Sequence, residues 1–385
     1  MPDFYVDLHI HIGRDKYDRP VKITGSKNLT LSRILEDASR RKGLDMIGII
    51  DAQSPAVQEE IMDLIESKKA KELAEGGIQF EDTVLILGSE IEVYDASCSG
   101  PIHVLCYFPF LEDMKLFTSW LSEKMKNVSL SSQRFYGTAR ELQEHVKSHK
   151  GLFIPAHMFT PFKSLYGKGV KKSLHEVLDS EKIDAVELGL SADTNMADRL
   201  LELEPYTYLT NSDAHSLINM AREYQKVRMK TRTFEELRRA LYREGERGGA
   251  ANYGLNPEMG KYHQTFCLQC ESTHPGFSSS CNHCGSSKII KGVSDRIQEL
   301  EDGYQNRKRP PYIYQVPLSS LPGVGKRTYE KLIDTFGSEM KVIHDIPCEQ
   351  LQKVVPDKVC QNILALRQGE LKITAGGGGR YGRIK

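Results

Sequence analysis

Residues 210–216 contain an aspartate and a histidine two positions apart, Asp213 and His215. They follow a short apolar run at residues 206–209, so a carboxylate and an imidazole come together where a buried strand is expected to end. Both groups are ligands for zinc or manganese, and at this spacing they can share one ion. Taken alone, the pair fits a strand-end turn with a structural histidine better than it fits a metal site, so other parts of the chain are needed to decide.

Further residues of the same types lie at the ends of other apolar runs, or within them: His9, His11, Asp51, Glu90, His103 and His157. Each histidine taken singly fits a structural role, and His103 could simply pair with Glu90. Side chains at the carboxyl ends of barrel strands, however, converge on one mouth. Two ions about 3.5–4 Å apart, bridged by a carboxylate, can activate water and stabilise both oxygens of a phosphoryl group. The set therefore predicts metal-dependent hydrolysis of a phosphoester.

The elements that must position these side chains can be predicted from the alternation of apolar and amphipathic stretches. Up to about residue 250, short apolar runs alternate with helical patterns, which is typical of a parallel sheet or barrel with covering helices. Capping boxes at residues 138–141 and 233–236 support two of the helices. Seven runs predict strands, at residues 4–8, 46–50, 84–87, 102–107, 152–156, 185–188 and 206–209. The expected fold class is α/β, with enough strands to close a barrel.

These motifs together resemble the polymerase and histidinol phosphatase (PHP) domain family: Asp7-Leu-His9-Ile-His11, Asp51, Gly88-Ser-Glu90, His103, Pro155-Ala-His157 and Ser212-Asp213-Ala-His215. The resemblance covers about residues 1–250 and implies a distorted seven-stranded barrel holding two to three divalent ions, either zinc, manganese or magnesium. The family usually has a histidine directly after the aspartate of its second motif, where this chain has Ala52. One ligand of the outermost ion is therefore missing or supplied from elsewhere.

The resemblance also implies a role for each ligand. Glu90 is expected to bridge the inner pair of ions, and Asp51 and His215 are expected at the outer ion. The residues expected to complete the inner pair are His9, His11, His103, His157 and Asp213. Asp213, Glu90 and His9 are the predicted catalytic residues.

Four of the eight cysteines form two Cys-x-x-Cys pairs separated by ten residues, at Cys267, Cys270, Cys281 and Cys284. In a reducing compartment such a pattern indicates metal rather than disulfides. Four thiolates can close a tetrahedral structural zinc site with no open position for catalysis. The scattered cysteines, Cys98, Cys106, Cys348 and Cys360, are predicted to be small buried hydrophobic residues.

The last third of the chain has the pattern of a nucleic-acid clamp. Residues 316–332 contain Pro-Gly-Val-Gly-Lys-Arg followed by a helical pattern, which is typical of a helix-hairpin-helix. Backbone N–H groups of such a turn and the helix behind it can hold a phosphate without reading sequence. The predicted DNA-binding residues are Gly323, Gly325, Lys326 and Arg327.

Length and charge bound the organisation. A chain of 385 residues predicts two or three domains. We expect a barrel at residues 1–250, a linker at 250–262, a zinc module at 262–292, an all-α helix-hairpin-helix domain at 293–370 and a flexible, glycine-rich basic tail at 371–385. Residues 256–385 carry 18 Lys and Arg against 13 Asp and Glu, which favours a polyanionic partner. No signal peptide pattern or long apolar run is found, so a cytoplasmic, nucleoid-associated protein without a membrane partner is expected.

The three modules in this order resemble a family of PHP-barrel DNA repair endonucleases. That resemblance implies metal-dependent incision 5′ of deaminated bases (uracil, hypoxanthine or xanthine) or abasic sites in double- or single-stranded DNA. The damaged base is expected to leave the stack and enter a pocket near the metals, for which residues 159–172, including Tyr166, are candidates. A sliding clamp is a candidate partner of the tail. The alternatives are a small-molecule phosphatase of the histidinol phosphate type, a DNA exonuclease, and a DNA-binding protein with an inactive barrel.

Overall fold

The structure, a computed structural model, describes residues 1–274, 276 and 278–384. Pro275 and Phe277 of the predicted zinc module and Lys385 of the predicted tail lie outside the described residues. The strands are β1 (Asp3–Ile10), β2 (Met46–Ile49), β3 (Ala70–Glu72), β4 (Ile78–Phe80), β5 (Thr83–Val93), β6 (Ile102–Phe108), β7 (Arg134–Phe135), β8 (Leu152–Pro155), β9 (Val186–Glu187), β10 (Tyr208–Leu209), β11 (Tyr224–Arg228), β12 (Gly248–Gly254), β13 (Thr265–Cys267), β14 (Thr273–His274), β15 (Ile289–Ile290), β16 (Tyr312–Tyr314), β17 (Ile373–Thr374) and β18 (Arg383–Ile384).

Helices cover the sheet and build the C-terminal part of the chain. They are α1 (Leu31–Asp37), α2 (Pro55–Glu66), α3 (Leu111–Lys124), α4 (Ala139–Ser148), α5 (Thr194–Ala197), α6 (Phe234–Leu241), α7 (Val293–Leu300), α8 (Lys326–Phe336), α9 (Glu339–His344), α10 (Cys348–Leu351) and α11 (Asp357–Gln368). The capping box predicted at Thr138 is present at the start of α4. Among the described helices, none combines the length and the apolar character needed to cross a membrane.

The main sheet positions the predicted ligands. Its order is β16, β12, β11, β1, β2, β5, with β6 and then β8 continuing from β5. The strands β9 and β10 form a separate parallel pair, and a parallel bridge between Ile10 and Ala214 joins the segment after β10 to the end of β1. Each of the seven predicted apolar runs lies on one of these strands, and the α/β class is confirmed.

The prediction of parallel strands is right for β1, β2 and β5 and wrong for β6. β6 pairs antiparallel with both β5 and β8. Only residues 94–101 connect β5 to β6, which is too short for the crossover that a parallel neighbour requires. A short hairpin-like connection, and not a crossover helix, therefore joins β5 to β6.

The boundary expected near residue 250 falls inside the main sheet. β12 pairs with β11 up to Gly254, and β16, from beyond the zinc module, pairs parallel with β12. The two glycines at 248 and 249 suggested the end of the barrel, but a Cβ atom added at Gly249 would lie 3.0 Å from the ring of Pro310. Close packing therefore explains Gly249 better than chain flexibility does.

The segment expected to be a flexible tail is instead paired in the structure. β17 and β18 form an antiparallel hairpin, and Gly376 N–H and Gly382 N–H donate to the carbonyls of Glu258 and Met259 at 2.7 and 2.9 Å. A Cβ atom at Gly376 would lie 2.5 Å from the carbonyl oxygen of Met259. Part of this glycine run therefore serves close backbone contact.

The C-terminal helices α8 to α11 pack around a buried cluster that includes Leu332, Val342 and Ile363. Ahead of α8, where the first arm of the hairpin was predicted, the structure has a single 3₁₀ turn at Leu318–Ser320. Cys348 and Cys360 were predicted to be small buried hydrophobic residues, but the structure joins them by a disulfide, and Cys348 is only partly buried. Cys98 and Cys106 are buried free thiols, as expected.

One buried ion pair connects the helical part to the sheet-bearing part. Lys42 Nζ donates to Glu339 Oε2 of α9 at 2.7 Å, and the two side chains are 3% and 0% exposed. Glu339 also accepts hydrogen bonds from the Tyr329 hydroxyl and from Leu318 N–H, both at 2.9 Å. The carboxylate is thus fully partnered only while the two parts are docked.

We expect Lys42→Met to destabilise the protein by about 3–5 kcal/mol, because it leaves a buried carboxylate without its cation. Denaturant unfolding followed by circular dichroism measures the change. The double variant Lys42→Met/Glu339→Gln should recover part of the loss, and an exposed-lysine control, Lys69→Met, should be nearly neutral. A Lys42→Met variant as stable as the wild type would contradict this account.

Candidate metal centre

Glu90, in the middle of β5, lies at the centre of the predicted site and is 1% exposed. Its Oε1 atom lies 2.9 Å from His103 Nδ1 and 3.3 Å from His157 Nε2. Oε1 also lies 3.6 Å from His9 Nε2, while Oε2 lies 3.7 Å from His11 Nε2. One carboxylate therefore faces histidines from β1, from β6 and from the segment after β8.

The described residues contain three overlapping sets of possible metal ligands around this carboxylate. In each set one ligand atom per residue lies within 4.8 Å of the others: His9, His11 and Glu90; Glu90, His103 and His157; and His11, Asp213 and His215. Asp213 Oδ1 is also 3.5 Å from both His9 Nε2 and His11 Nε2. Seven of the eight predicted barrel ligands are thus brought together.

The donor atoms themselves test whether metal ions fit. His9 Nε2, His11 Nε2 and His103 Nε2 are buried and have no hydrogen-bond partner. Buried polar atoms without partners are rare, and here they are imidazole nitrogens beside carboxylates. That donor set suits a divalent ion such as zinc or manganese.

Asp51 takes a different place from the one predicted. Its Oδ2 atom lies 3.1 Å from His11 Nδ1 and accepts a hydrogen bond from Ile12 N–H at 2.7 Å. Asp51 therefore stands behind His11, on the side of the ring that faces away from Glu90 and Asp213. Its Oδ1 atom is buried without a partner, but the residue belongs to none of the three sets.

Glu187 of β9 plays the same part for His9 and was not singled out from the sequence. Its Oε1 atom lies 3.0 Å from His9 Nδ1 and accepts from the Asn211 amide at 2.8 Å, while Oε2 accepts from His157 N–H at 2.8 Å. A carboxylate behind a ligating histidine fixes its tautomer and ring orientation. A glutamate inside the apolar run 185–188 was the sequence signal that could have revealed it.

The backbone at two ligand positions is strained. His157 has φ +30° and Asp213 has φ +45°, values that residues with a side chain seldom adopt. The Asp213 loop is held by Asp7, which accepts from Ser212 N–H and Ala221 N–H at 3.0 Å each. Arg222 donates to the carbonyl of Asp213 at 3.2 Å. The surrounding structure thus fixes the direction of the Asp213 carboxylate.

The electrostatics of the centre favour bound cations. Burial alone would raise the pKa of Glu90, but His103 and Lys22 hold it well below its ordinary value. Burial would lower the pKa of His9, but Glu187 and Asp213 raise it to about 10. The same surplus of carboxylate charge would favour a divalent ion held by these residues.

Lys22 is a further charged residue that the sequence did not reveal, because it lies in the irregular segment between β1 and α1. Its ammonium lies 3.2 Å from Glu90 Oε2 and 2.6 Å from Ser132 Oγ. Ser132 also donates to Glu90 Oε2. Lys22 thus adds an ammonium to the imidazoles that contact the shared carboxylate.

The ligands open onto a cavity of about 440 Å³. Of the insert expected to line it, Thr160, Phe162 and Lys163 do so. Tyr166 does not: it is buried, stacks on Phe159 with ring centroids 5.4 Å apart, and donates its hydroxyl to Glu202 at 2.6 Å. Tyr166 therefore supports the cavity wall from behind.

The four predicted zinc ligands are also brought together. Cys267 Sγ lies 3.6 Å from Cys284 Sγ, and Cys270 Sγ lies 3.6 Å from Cys281 Sγ. Sulfurs bound tetrahedrally to zinc at 2.3 Å would be about 3.8 Å apart, so the set fits the ion. Burial would raise the pKa of Cys281, but N–H groups of Cys284 and His283 help lower it. A hydrogen bond from Ser286 would lower the pKa of Cys284, but the sulfurs of Cys270 and Cys267 outweigh it and raise the pKa of that thiol.

The predicted DNA contacts surround the start of α8. Gly325 is the residue before its first turn, and Lys326 and Arg327 are exposed within that turn. Gly323 has φ +88°, which a residue with a side chain would resist, and a Cβ atom at Gly325 would meet nothing within 4 Å. The turn therefore presents an open backbone beside two cations.

Similar proteins were found along the whole chain. A family model for the MJ0043 C-terminal domain matches residues 324–370. The uncharacterized protein YqxK of Bacillus subtilis strain 168 is 52% identical over 386 residues and 100% of both chains. The lesion-specific endonuclease PfuEndoQ from Pyrococcus furiosus has 34% sequence identity to this chain. Its crystal structure superposes with a TM-score of 0.86, and the match covers 100% of this chain and 95% of that chain. A crystal structure of endonuclease Q in complex with a 27-mer duplex bearing an abasic lesion at the active site matches with 34% sequence identity and a TM-score of 0.85. The match covers 100% of this chain and 96% of that chain.

We expect Glu187→Gln to weaken metal binding in the barrel by about 10- to 100-fold, because the amide orients His9 less strongly than a carboxylate does. Titration calorimetry with Mn²⁺ on protein that keeps its zinc measures this. Glu181→Gln, an exposed position, is the matched control. Equal Mn²⁺ affinity in wild type and Glu187→Gln would show that Glu187 does not orient a ligand.

Proposed function

The chain belongs to the endonuclease Q family, and on that basis we propose that it is a DNA repair endonuclease acting 5′ of deaminated bases (uracil, hypoxanthine or xanthine) or abasic sites. The observation that carries the proposal is that a relative of known activity matches every module of this chain, and not the barrel alone. A metabolite phosphatase would need only the barrel. The order of barrel, cysteine module and helical module supports action on a polymer.

In this proposal seven strands close the barrel: β1, β2, β5, β6, β8, β9 and β10. The ring passes from β10 to β1 through the bridge between Ile10 and Ala214. Every ligand then lies at one mouth, as expected for an active site on such a fold. The strand ends act as a rigid frame for the ions.

Two inner ions are the arrangement that the donors support best, with Glu90 shared between them. His9, His11 and Asp213 would hold one, and His103 and His157 the other. When bound, such ions activate a water molecule and neutralise the charge of the scissile phosphate. Asp51 and Glu187 hold the rings of His11 and His9 in the required orientation.

A third ion would be held more weakly. It would depend on His11, Asp213 and His215, but a neutral imidazole has one free nitrogen lone pair, and His11 Nε2 is already needed at the inner pair. Asp51 is turned toward His11 Nδ1, and Ala52 offers no ligand. His215 is thus proposed as a ligand of a partly occupied site.

Lys22 is proposed to contact the phosphate. Its ammonium lies on the cavity wall beside Glu90, where a polyanionic backbone would approach. Because this side chain is largely buried, its charge is screened less than that of a surface lysine. The four cysteines are proposed to bind a structural zinc ion, and Lys326 and Arg327 to contact the DNA backbone.

We expect Asp213→Asn to lower incision of a uracil-containing duplex by more than about 100-fold, because a ligand charge is lost while the shape is kept. A covalently closed circle with one uracil is the substrate, since only an endonuclease can nick it. The control circle carries cytosine instead. If Asp213→Asn nicks the uracil circle at a near wild-type rate, Asp213 is not a catalytic metal ligand. If the wild-type protein leaves the uracil circle closed, the proposed endonuclease activity is wrong.

Replacing Lys326 and Arg327 together by alanine should weaken DNA binding equally for damaged and undamaged sequences. The slope of log affinity against log salt should shrink by roughly 1 per side chain removed. Fluorescence anisotropy at several salt concentrations measures both effects. Lys69→Ala/Lys71→Ala, an exposed pair at and beside β3, is the charge-matched control, and an unchanged slope in the α8 variant would contradict the contact.

A further inference from the structure

The rim of the metal cavity carries an isoleucine that packing does not explain. Ile23 is 74% exposed, which for a β-branched aliphatic side chain has a cost in water. It lines the same cavity as Glu90, His157 and Asp213. Phe162 is the other large apolar side chain on this cavity wall, within the described residues.

Ile23 occupies the tip of a tight turn. Gly25 N–H donates to the carbonyl of Lys22 at 2.9 Å, so Ile23 and Thr24 are the two central residues of the turn. The preceding residue, Lys22, contacts Glu90 at 3.2 Å. The turn therefore places a cation toward the metal ligands and an apolar side chain directly beside it, facing solvent.

Backbone hydrogen bonds fix this turn to the ligand-bearing segments. Lys22 N–H donates to the carbonyl of Ile12, and Ser26 N–H donates to the carbonyl of His215, both at 2.8 Å. Ser131 N–H donates to the carbonyl of Val21 at 2.9 Å. The segment is thus anchored to the residues just after β1, to the Asp213 loop and to the segment before β7.

Two glycines tighten the same segment further. A Cβ atom at Gly25 would lie 2.9 Å from the Cα atom of Gly13, and one at Gly13 would overlap the carbonyl of Ser26. The two halves of the segment are therefore in close backbone contact. This close packing holds the turn that carries Ile23 rigidly, so the Ile23 side chain can press against a binding partner while the backbone keeps its position.

Phe162 is a weaker candidate for the same task. It is 44% exposed, and its ring packs edge-on against Tyr262 with centroids 5.3 Å apart. Part of its surface is thus already used within the protein. Ile23 has its apolar surface free and projects from a turn.

We propose that Ile23 enters the DNA stack and fills the gap left by the damaged nucleotide when that nucleotide moves into the metal cavity. The inference rests on the proposed function. Apolar side chains inserted between base steps offset part of the cost of unstacking, and a nucleotide must leave the stack to reach a recessed site. Lys22 would then meet the backbone phosphate next to the step that Ile23 opens.

Ile23→Ala is tested on a lesion whose base is paired and on the same lesion inside an unpaired bubble. On the paired duplex we expect incision to fall about 10- to 100-fold, because the apolar contact that replaces stacking is lost. On the bubble the loss should be smaller by at least about tenfold, since there is less stacking to break. Ile23→Leu should restore most of the activity, and Leu116→Ala, an exposed aliphatic position on α3, should behave like the wild type.

A second readout does not require cutting. In the Asp213→Asn background, 2-aminopurine beside the lesion should brighten on binding, and Ile23→Ala should abolish that rise at saturating protein. Equal losses on duplex and bubble, or no loss on either, would overturn the assignment. A wild type that cuts none of these substrates would overturn the proposed function, and the fluorescence difference would then decide the role of Ile23 alone.

Discussion

Burial of the Glu90 carboxylate is the constraint from which the rest of this structure follows. An ionised carboxylate removed from water is tolerated only where opposite charges and hydrogen bonds surround it. The partners of Glu90 come from β1, β6, the segment after β8 and the segment that carries Lys22. No local stretch of chain could supply them all, so the site exists only when the sheet is assembled in its native register.

A second layer of carboxylates extends this constraint outward. Asp51 and Glu187 lie behind His11 and His9, so each ring presents its other nitrogen to the centre. Asp7 and Arg222 hold the Asp213 loop in a backbone conformation that it would not adopt alone. The resulting surplus of negative charge raises the pKa of His9 to about 10, with Glu187 and Asp213 outweighing burial. Backbone strain and shifted pKa values concentrated on a few residues are typical of functional sites.

The sequence predicted the centre well because the ligands are chemically unusual at strand ends, whereas the residues that support them are not. The structure brings together seven of the eight barrel residues that were predicted from residue type and position, and the four cysteines that were predicted from spacing. Lys22 could not be assigned, because nothing in an irregular segment indicates where a side chain points. The antiparallel direction of β6 was missed because it follows from the short connection after β5, which the apolar pattern does not reveal. The pairing of β17 with β18 was missed because a glycine-rich sequence is compatible both with a flexible chain and with close backbone contact. Asp51 shows the limit of motif reasoning, since the same residue type at the same place can ligate an ion or orient a ligand.

The rigidity of the mouth has a consequence for how damage is selected. The segments that frame the cavity are tied by backbone hydrogen bonds to the strands and loops that carry the ligands, so they cannot open without moving the ligands. In the proposed function, deformation of the DNA would then help to bring the nucleotide to the metal ligands. The cost of deforming DNA depends on the base pair, and it is lowest where pairing or stacking is already weakened. Less free energy is then needed to bring a damaged nucleotide to the metal ligands than to bring a normal one. This difference can select for damage before the protein contacts the altered base.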